Sequence, residues 1–166
     1  RRVLFRSFGN VNLTANNGNI TSNTSSFGIR SLGSAGQINL ISNNGSINLN
    51  GYLQTNGGAA SVTAGQNLTL GASNFAIDAI NTRSTSSLPS GAVNLTATSG
   101  NITLNGVIST SSLSSFSSNG GAITLTSGGT IDASGEKSFT LNNDVNNLGN
   151  AYTLDSHSLS GSGGAV

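Results

Sequence analysis

Apolar and polar residues alternate along this chain in short runs that recur several times. Residues 9–22 read GNVNLTANNGNITS, residues 36–49 read GQINLISNNGSINL and residues 91–104 read GAVNLTATSGNITL. Alternation with period two is typical of a β-strand with one buried face. The central Asn-Gly or Ser-Gly tolerates the backbone angles of a bend. Each unit therefore predicts a strand, a bend, a second short strand and then a segment of variable length.

Two further units fit the same scheme with one residue deleted, and they begin at Gly58 and Gly121. Two short strands cannot bury their own apolar face, but stacked units can, with equivalent residues about 4.8 Å apart. The predicted interior columns are Val11, Ile38, Ala60, Val93 and Ile123; Leu13, Leu40, Val62, Leu95 and Leu125; and Ile20, Ile47, Leu68, Ile102 and Ile131. An outward polar column follows from the same register, formed by Asn12, Asn39, Ser61, Asn94 and Thr124.

The predicted fold is all-β, a right-handed parallel β-helix (a solenoid) of about five to six coils, present as an open-ended fragment. An up-and-down antiparallel barrel would also show alternation. Near-identity between units this far apart instead favours like-on-like parallel stacking. Aggregation or self-association through the open coil ends is expected, because uncovered strand edges invite pairing.

Four regions are predicted along the chain. Residues 1–7 are interpreted as non-native read-through, since the codons CGT GTG CTC TTC CGA TCT, which resemble a sequencing-adapter end, encode residues 2–7. Residues 8–135 form the regular coils. Residues 136–159 are expected to form an irregular final coil or coils, and residues 160–166 a flexible end.

Composition supports a folded chain with little charge chemistry. Hydrophobic residues make up 34% and charged residues 7%, against about 25% charged in ordinary domains. Excluding residues 1–7 leaves three basic and five acidic residues, a net charge of −2 in place of +1. Nucleic-acid binding then has no electrostatic support. With no cysteine, disulfides and thiolate metal sites are excluded.

No catalytic, metal or cofactor site is predicted. His157 is the one histidine, and it is interpreted as a solvated loop residue. Asp132 and Glu136 are close in sequence but flank Gly135, and the other carboxylates are scattered over several coils. Glycan-cleaving β-helices need clustered carboxylates, and tight calcium sites need several charged oxygens.

Aromatic residues give the one suggestive pattern. They recur in the variable segments, as Phe27, Tyr52, Phe75 and Phe116. We weigh two interpretations, an aromatic strip that stacks on sugar rings and a set of side chains that closes the third side of the core. The second is favoured.

The unit G-x-[IV]-x-L-x-[AS]-x-x-G-x-I-x-L, over roughly residues 9–133, resembles the repeats of filamentous-haemagglutinin-like surface proteins. That resemblance implies an extracellular location on the bacterial cell surface and secretion through an outer-membrane transporter partner. It also implies a structural or adhesive role as a stalk or adhesin, without catalysis, and host or matrix glycans or proteins as partners.

The alternative function is a glycan-binding or glycan-cleaving β-helix that uses the variable-segment side. Ice binding by outward threonine rows is a third hypothesis, and it is weakened because Ile41 interrupts the row.

Overall fold

The computed structural model describes residues 4–23, 28–71, 78–85, 87–111, 119–134, 154–156 and 164–166. Over these ranges the chain is all-β and forms three parallel sheets that wind into a β-helix of about five coils. Every strand pairing is parallel and joins equivalent strands of successive coils. This confirms the predicted fold class.

Each complete coil contributes one strand to each sheet. Sheet B contains β2 (Val11–Ala15), β5 (Ile38–Ser42), β8 (Ala60–Ala64), β11 (Val93–Ala97) and β14 (Ile123–Ser127). Sheet C contains β3 (Ile20–Ser22), β6 (Ile47–Leu49), β9 (Leu68–Leu70), β12 (Ile102–Leu104) and β15 (Ile131–Asp132). Sheet A contains β1 (Leu4–Ser7), β4 (Gly28–Ser34), β7 (Tyr52–Asn56), β10 (Asp78–Asn81), β13 (Val107–Ser109) and β16 (Leu154–Asp155).

The strand register agrees with the columns predicted from sequence. Val11, Ile38, Ala60, Val93 and Ile123 pair in succession, as do the columns that start at Leu13 and Ile20. Central members of these columns, such as Leu40, Val62 and Ile102, are fully buried. Leu13 and Ile131 lie in the first and last paired strands of their sheets and are 45% and 46% exposed, because no further strand of the described residues pairs on their outer side.

Sheet A occupies the segment that the sequence predicts only as variable. Its interior column is Phe5, Ile29, Leu53, Ile80, Ile108 and Leu154. Each of these six residues is followed two positions later by a serine or threonine: Ser7, Ser31, Thr55, Thr82, Thr110 and Ser156. The coil therefore has three regular sides, and length varies at the two corners that flank sheet A.

A serine or threonine and a glycine close the corner between sheets A and B. Thr82 Oγ1 donates to the carbonyl of Gly91 at 2.6 Å, and the Gly91 amide donates back to the Thr82 carbonyl at 3.1 Å. The same pair of bonds joins Thr110 to Gly121, eleven residues later in the chain. A similar hydroxyl bond joins Thr55 to Gly58, only three residues apart. These inserts of different length are thus closed by one local device, the hydroxyl–glycine clamp. At the corner that ends in Gly36, Ser31 Oγ instead donates to the Gly9 carbonyl of the preceding coil.

The corner glycines form a column of their own. A Cβ on Gly58, Gly91, Gly121 or Gly164 would collide with the carbonyl of the glycine one coil earlier. Backbones therefore approach each other too closely at this corner for any side chain. This contact explains the glycine that begins the units at Gly58, Gly91 and Gly121, whereas nothing lies within 4 Å of a Cβ added at Gly9.

Polar side chains brace the bend between sheets B and C. Asn19 Oδ1 accepts from the Ser46 amide, Asn67 Oδ1 from the Asn101 amide, and Asn101 Oδ1 from the Thr130 amide. Each bond runs from one coil to the next. The backbone donors of the bend are satisfied in this way, so the bend keeps nearly constant length.

The ends of the described chain join the same sheets. Residues 4–7, interpreted above as read-through, lie as β1 beside β4, a placement that carries no information about their origin. Within residues 160–166, the structure describes 164–166. There the Ala165 carbonyl accepts from the Ile123 amide at 2.8 Å. Residues 136–153 lie outside the described ranges. No helix in the described part is long and apolar enough to cross a bilayer.

Candidate functional site

The outer face of sheet A differs chemically from the outer faces of the other two sheets. Sheets B and C present mainly Asn, Ser and Thr outward. The outer column of sheet A instead begins Arg6, Arg30, Gln54 and Asn81, in register across four coils. Successive members of such a column lie about 4.8 Å apart, so their side chains form a continuous surface.

A cleft of about 300 Å³ opens on this face. It spans three coils, and the residues that line it are Arg30, Leu32, Gln54, Thr55, Asn56, Asn81, Arg83 and Thr85. We call it the arginine cleft. The described residues that line it include two guanidinium groups and no carboxylate. The cleft therefore combines positive charge with amide and hydroxyl groups that can donate and accept hydrogen bonds.

The far wall of the arginine cleft is held by a local hydrogen-bond network. The Arg83 amide donates to Asn81 Oδ1 at 3.0 Å, and Arg83 Nε donates to Ser109 Oγ on the next coil at 2.8 Å. The amide and the hydroxyl of Thr85 both donate to Asn56 Oδ1, at 3.1 and 3.0 Å. These bonds orient Asn56 and Arg83 before any ligand arrives.

Arg30 forms the near wall and has an unused donor. Its Nε is buried and has no hydrogen-bond partner among the described residues. A buried donor without a partner costs free energy. Arg6 lies beside Arg30 in register and is exposed, outside the cleft lining.

Of the four aromatic residues singled out from sequence, the structure describes Tyr52, while Phe27, Phe75 and Phe116 lie outside the described residues. Tyr52 is half-buried and alternates with the interior residue Leu53, so it lies on the outer face of sheet A. Its ring covers Gly28, where an added Cβ would stand 2.7 Å from Cε1. At Tyr52 the favoured interpretation, closure of the core, does not apply, and an outward aromatic is found.

The described residues contain no group of three or more His, Asp or Glu that could hold a metal ion. Asp132 is exposed, and its Oδ1 accepts from the amide and hydroxyl of Ser134 at 2.9 and 2.6 Å. That arrangement is a local turn. His157 and Glu136 lie outside the described residues.

Sequence reasoning did not identify the arginine cleft. Arg30 and Arg83 are 53 positions apart, and each stands alone among polar residues. A signal was nevertheless present, because Ile29-Arg30-Ser31, Leu53-Gln54-Thr55 and Ile80-Asn81-Thr82 share one pattern of aliphatic, polar and hydroxyl residues. Aligning that pattern would have placed Arg30, Gln54 and Asn81 in one outward column.

The fold defines a class, the parallel β-helix repeat proteins, whose surfaces are built from columns of equivalent residues. No protein-family model, curated protein or solved structure matches this chain.

Proposed function

We propose that the chain is a structural and adhesive segment of a secreted bacterial cell-surface protein, acting as a stalk or adhesin without catalysis of its own. The observation that supports this most is the parallel stacking of three sheets over about five coils, in continuous register in sheets B and C and with two register shifts in sheet A. Each added coil lengthens such a solenoid by about 4.8 Å, so repetition produces length at a fixed cross-section. The resemblance to filamentous-haemagglutinin-like repeats supports the surface location and the transporter partner.

The surface chemistry fits a passive, weakly charged rod. The described outward positions of sheets B and C are Asn, Ser and Thr, with Ile41 and Asp132 as exceptions. Such a surface is hydrated and offers no cluster of reactive side chains. Binding to a partner is then expected on the sheet A side, where charge and inserts are found.

Antibodies raised against the chain provide the test of location. On intact cells of the organism that encodes it, we expect surface labelling that is lost after brief external protease treatment. Labelling that requires permeabilised cells would contradict the proposal. Beads coated with the chain test adhesion separately, with beads carrying the heat-denatured chain as the control.

Glycan binding is the second candidate, and one observation favours it. Tyr52 lies outward on the same face as Gln54, beside the arginine cleft. An aromatic ring next to amide groups is a common surface for sugar binding, since the ring contacts the apolar face of the sugar while the amides bind its hydroxyls.

A further inference from the structure

We propose that the arginine cleft binds a carboxylated sugar unit of an acidic polysaccharide. The inference rests on the adhesive part of the proposed function and gives it a ligand class. Its basis is the meeting of Arg30, Gln54 and Arg83 on one outer face, which the coil register brings together from three coils.

The arginine cleft carries positive charge. Arg30 and Arg83, which both belong to the sheet A side, line the arginine cleft. The acidic residues of sheet A, Asp78 and Asp155, are not among the described residues that line it. A concave site with one sign of charge concentrates oppositely charged ligands more than a flat surface does. An anion is therefore the expected ligand.

Geometry selects the type of anion. A guanidinium presents its N–H donors in a planar fork that matches the two oxygens of a carboxylate. Arg30 and Arg83 both line the cleft, so the terminal N–H groups of the Arg30 guanidinium are the donors that a carboxylate would meet there. The Nε of Arg83 already donates to Ser109 Oγ, and this hydrogen bond fixes the Arg83 side chain in the cleft wall.

The remaining lining groups fit sugar hydroxyls. Gln54, Asn56 and Thr85 are neutral and polar, and Asn56 is already oriented by Thr85. Amides and hydroxyls bind sugar hydroxyls as both donors and acceptors. A volume of about 300 Å³ is at the lower end of small-molecule sites, which suits one or two sugar rings of a longer chain.

Calorimetric titration of the full 166-residue chain tests the inference. The probes are a trigalacturonate, its fully methyl-esterified neutral form, and a sulfated disaccharide. We expect the trigalacturonate to bind at least about tenfold more tightly than the neutral ester, a difference of about 1.4 kcal/mol. We expect its affinity to fall as salt is raised, since salt screens the charges. Equal binding of acid and ester, or binding of the sulfated probe alone, would overturn the assignment.

Variants locate the ligand. Arg30→Gln and Arg83→Gln should each weaken trigalacturonate binding at least about tenfold, and Arg30→Lys should also weaken it because the charge remains while the fork is lost. Arg6→Gln is the matched control, since it removes the same charge one coil outside the cleft. It should change affinity less than about threefold. An equal loss in Arg6→Gln would show a diffuse basic surface and refute the cleft.

Folding must be checked in each variant by circular dichroism and thermal unfolding. Gln54→Ala provides an independent variant, because it truncates a lining amide without removing charge. It should weaken binding of the trigalacturonate and leave unfolding unchanged. Failure of all these titrations would leave the solenoid stalk intact, since location and adhesion are measured by antibody labelling and coated beads.

Discussion

At the scale of single residues, two small groups decide whether a coil closes. The hydroxyl of a buried threonine, Thr82 or Thr110, or of the half-buried Ser156 donates to the carbonyl of the glycine that starts the next coil. That glycine must also lack a side chain, because the glycine carbonyl of the preceding coil occupies the space. Hydrogen bonding and steric exclusion thus act on the same residue.

Gly91→Ala should destabilise the fold by about 2 kcal/mol or more, since overpacking against a rigid backbone forces the coils apart. The added Cβ would collide with the Gly58 carbonyl. Gly9→Ala is the matched control at the head of the same column, where nothing lies within 4 Å of the added Cβ. It should change the free energy of unfolding by less than about 0.5 kcal/mol in urea titrations. Similar losses in the two variants would contradict the steric account.

Thr82→Val removes the hydroxyl of one clamp while nearly conserving volume. Thr82 is fully buried, and its bond to the Gly91 carbonyl is 2.6 Å long. A lost buried hydrogen bond with an unsatisfied partner should cost about 1–3 kcal/mol. Thr96→Val on the outer face of β11 should be neutral within about 0.5 kcal/mol. Chemical denaturation measures the free energy of unfolding of both variants. An unchanged value in Thr82→Val would show that the Thr82 hydroxyl bond does not stabilise the corner.

At the scale of strands, burial depends on position along the stack. Leu13, Leu40 and Leu95 occupy one column and share the same local sequence alternation. Leu40 and Leu95 are buried between two neighbouring coils, whereas Leu13 pairs with a described strand on one side only. The same side chain therefore contributes differently to stability in different coils.

Leu95→Ala should lower the free energy of unfolding by about 2–5 kcal/mol, the usual cost of a cavity in a packed core. Leu95 is 1% exposed, while Leu13 in the same column is 45% exposed. Leu13→Ala should therefore cost less than half as much. Denaturant unfolding followed by circular dichroism measures both values, and equal costs would mean that the end coil is as well packed as the centre.

Corners of the coil should differ in their tolerance to insertion. Inserting Gly-Ser-Gly after Ser87, between the residues of the Thr82–Gly91 clamp, lengthens a loop that is already closed, and loop entropy should cost less than about 1 kcal/mol. The same insertion after Ser99 separates residues that bond to Gly65 and Asn67 of the preceding coil. It should cost about 2 kcal/mol or more. Thermal and urea unfolding measure both variants, and equal sensitivity would contradict the clamp as the device that permits variable inserts.

At the scale of the whole molecule, a stack of coils exposes its interior wherever a neighbouring coil is missing. Phe8 is 85% exposed, and Leu13 and Ile131 are each about half exposed. The first and last strands of each sheet also carry backbone groups without a neighbouring strand in the described chain. Strand edges of this kind pair readily with other chains.

The 166-residue chain by itself should therefore self-associate in sedimentation velocity, increasingly with concentration. Phe8→Lys combined with Leu13→Lys should reduce association, because charge on an end coil opposes stacking. Thr96→Lys on the outer face is the control and should leave association unchanged. A chain that sediments as a monomer at every concentration would contradict the prediction.

Much of the fold followed from sequence, because like residues stack on like. The columns through Val11, Leu13 and Ile20 could be aligned from the repeated pattern alone, and the register agrees with them. The alternation of apolar and polar residues with period two predicted the strands, and the recurring glycine marked where each repeat unit begins. These signals are local or strictly repeated, so no knowledge of tertiary contacts was needed.

The third sheet and the arginine cleft were decided by tertiary structure. Inserts of unequal length hide the register of sheet A, so Arg30, Gln54 and Asn81 do not align in sequence until the coils are stacked. The direction of Tyr52 depended in the same way on which neighbour, Leu53, faces the interior. The repeated residues of the sequence determined which side chains stack in columns. The arginine cleft is assembled from residues that do not repeat, so it was determined by how the stacked coils place those residues side by side.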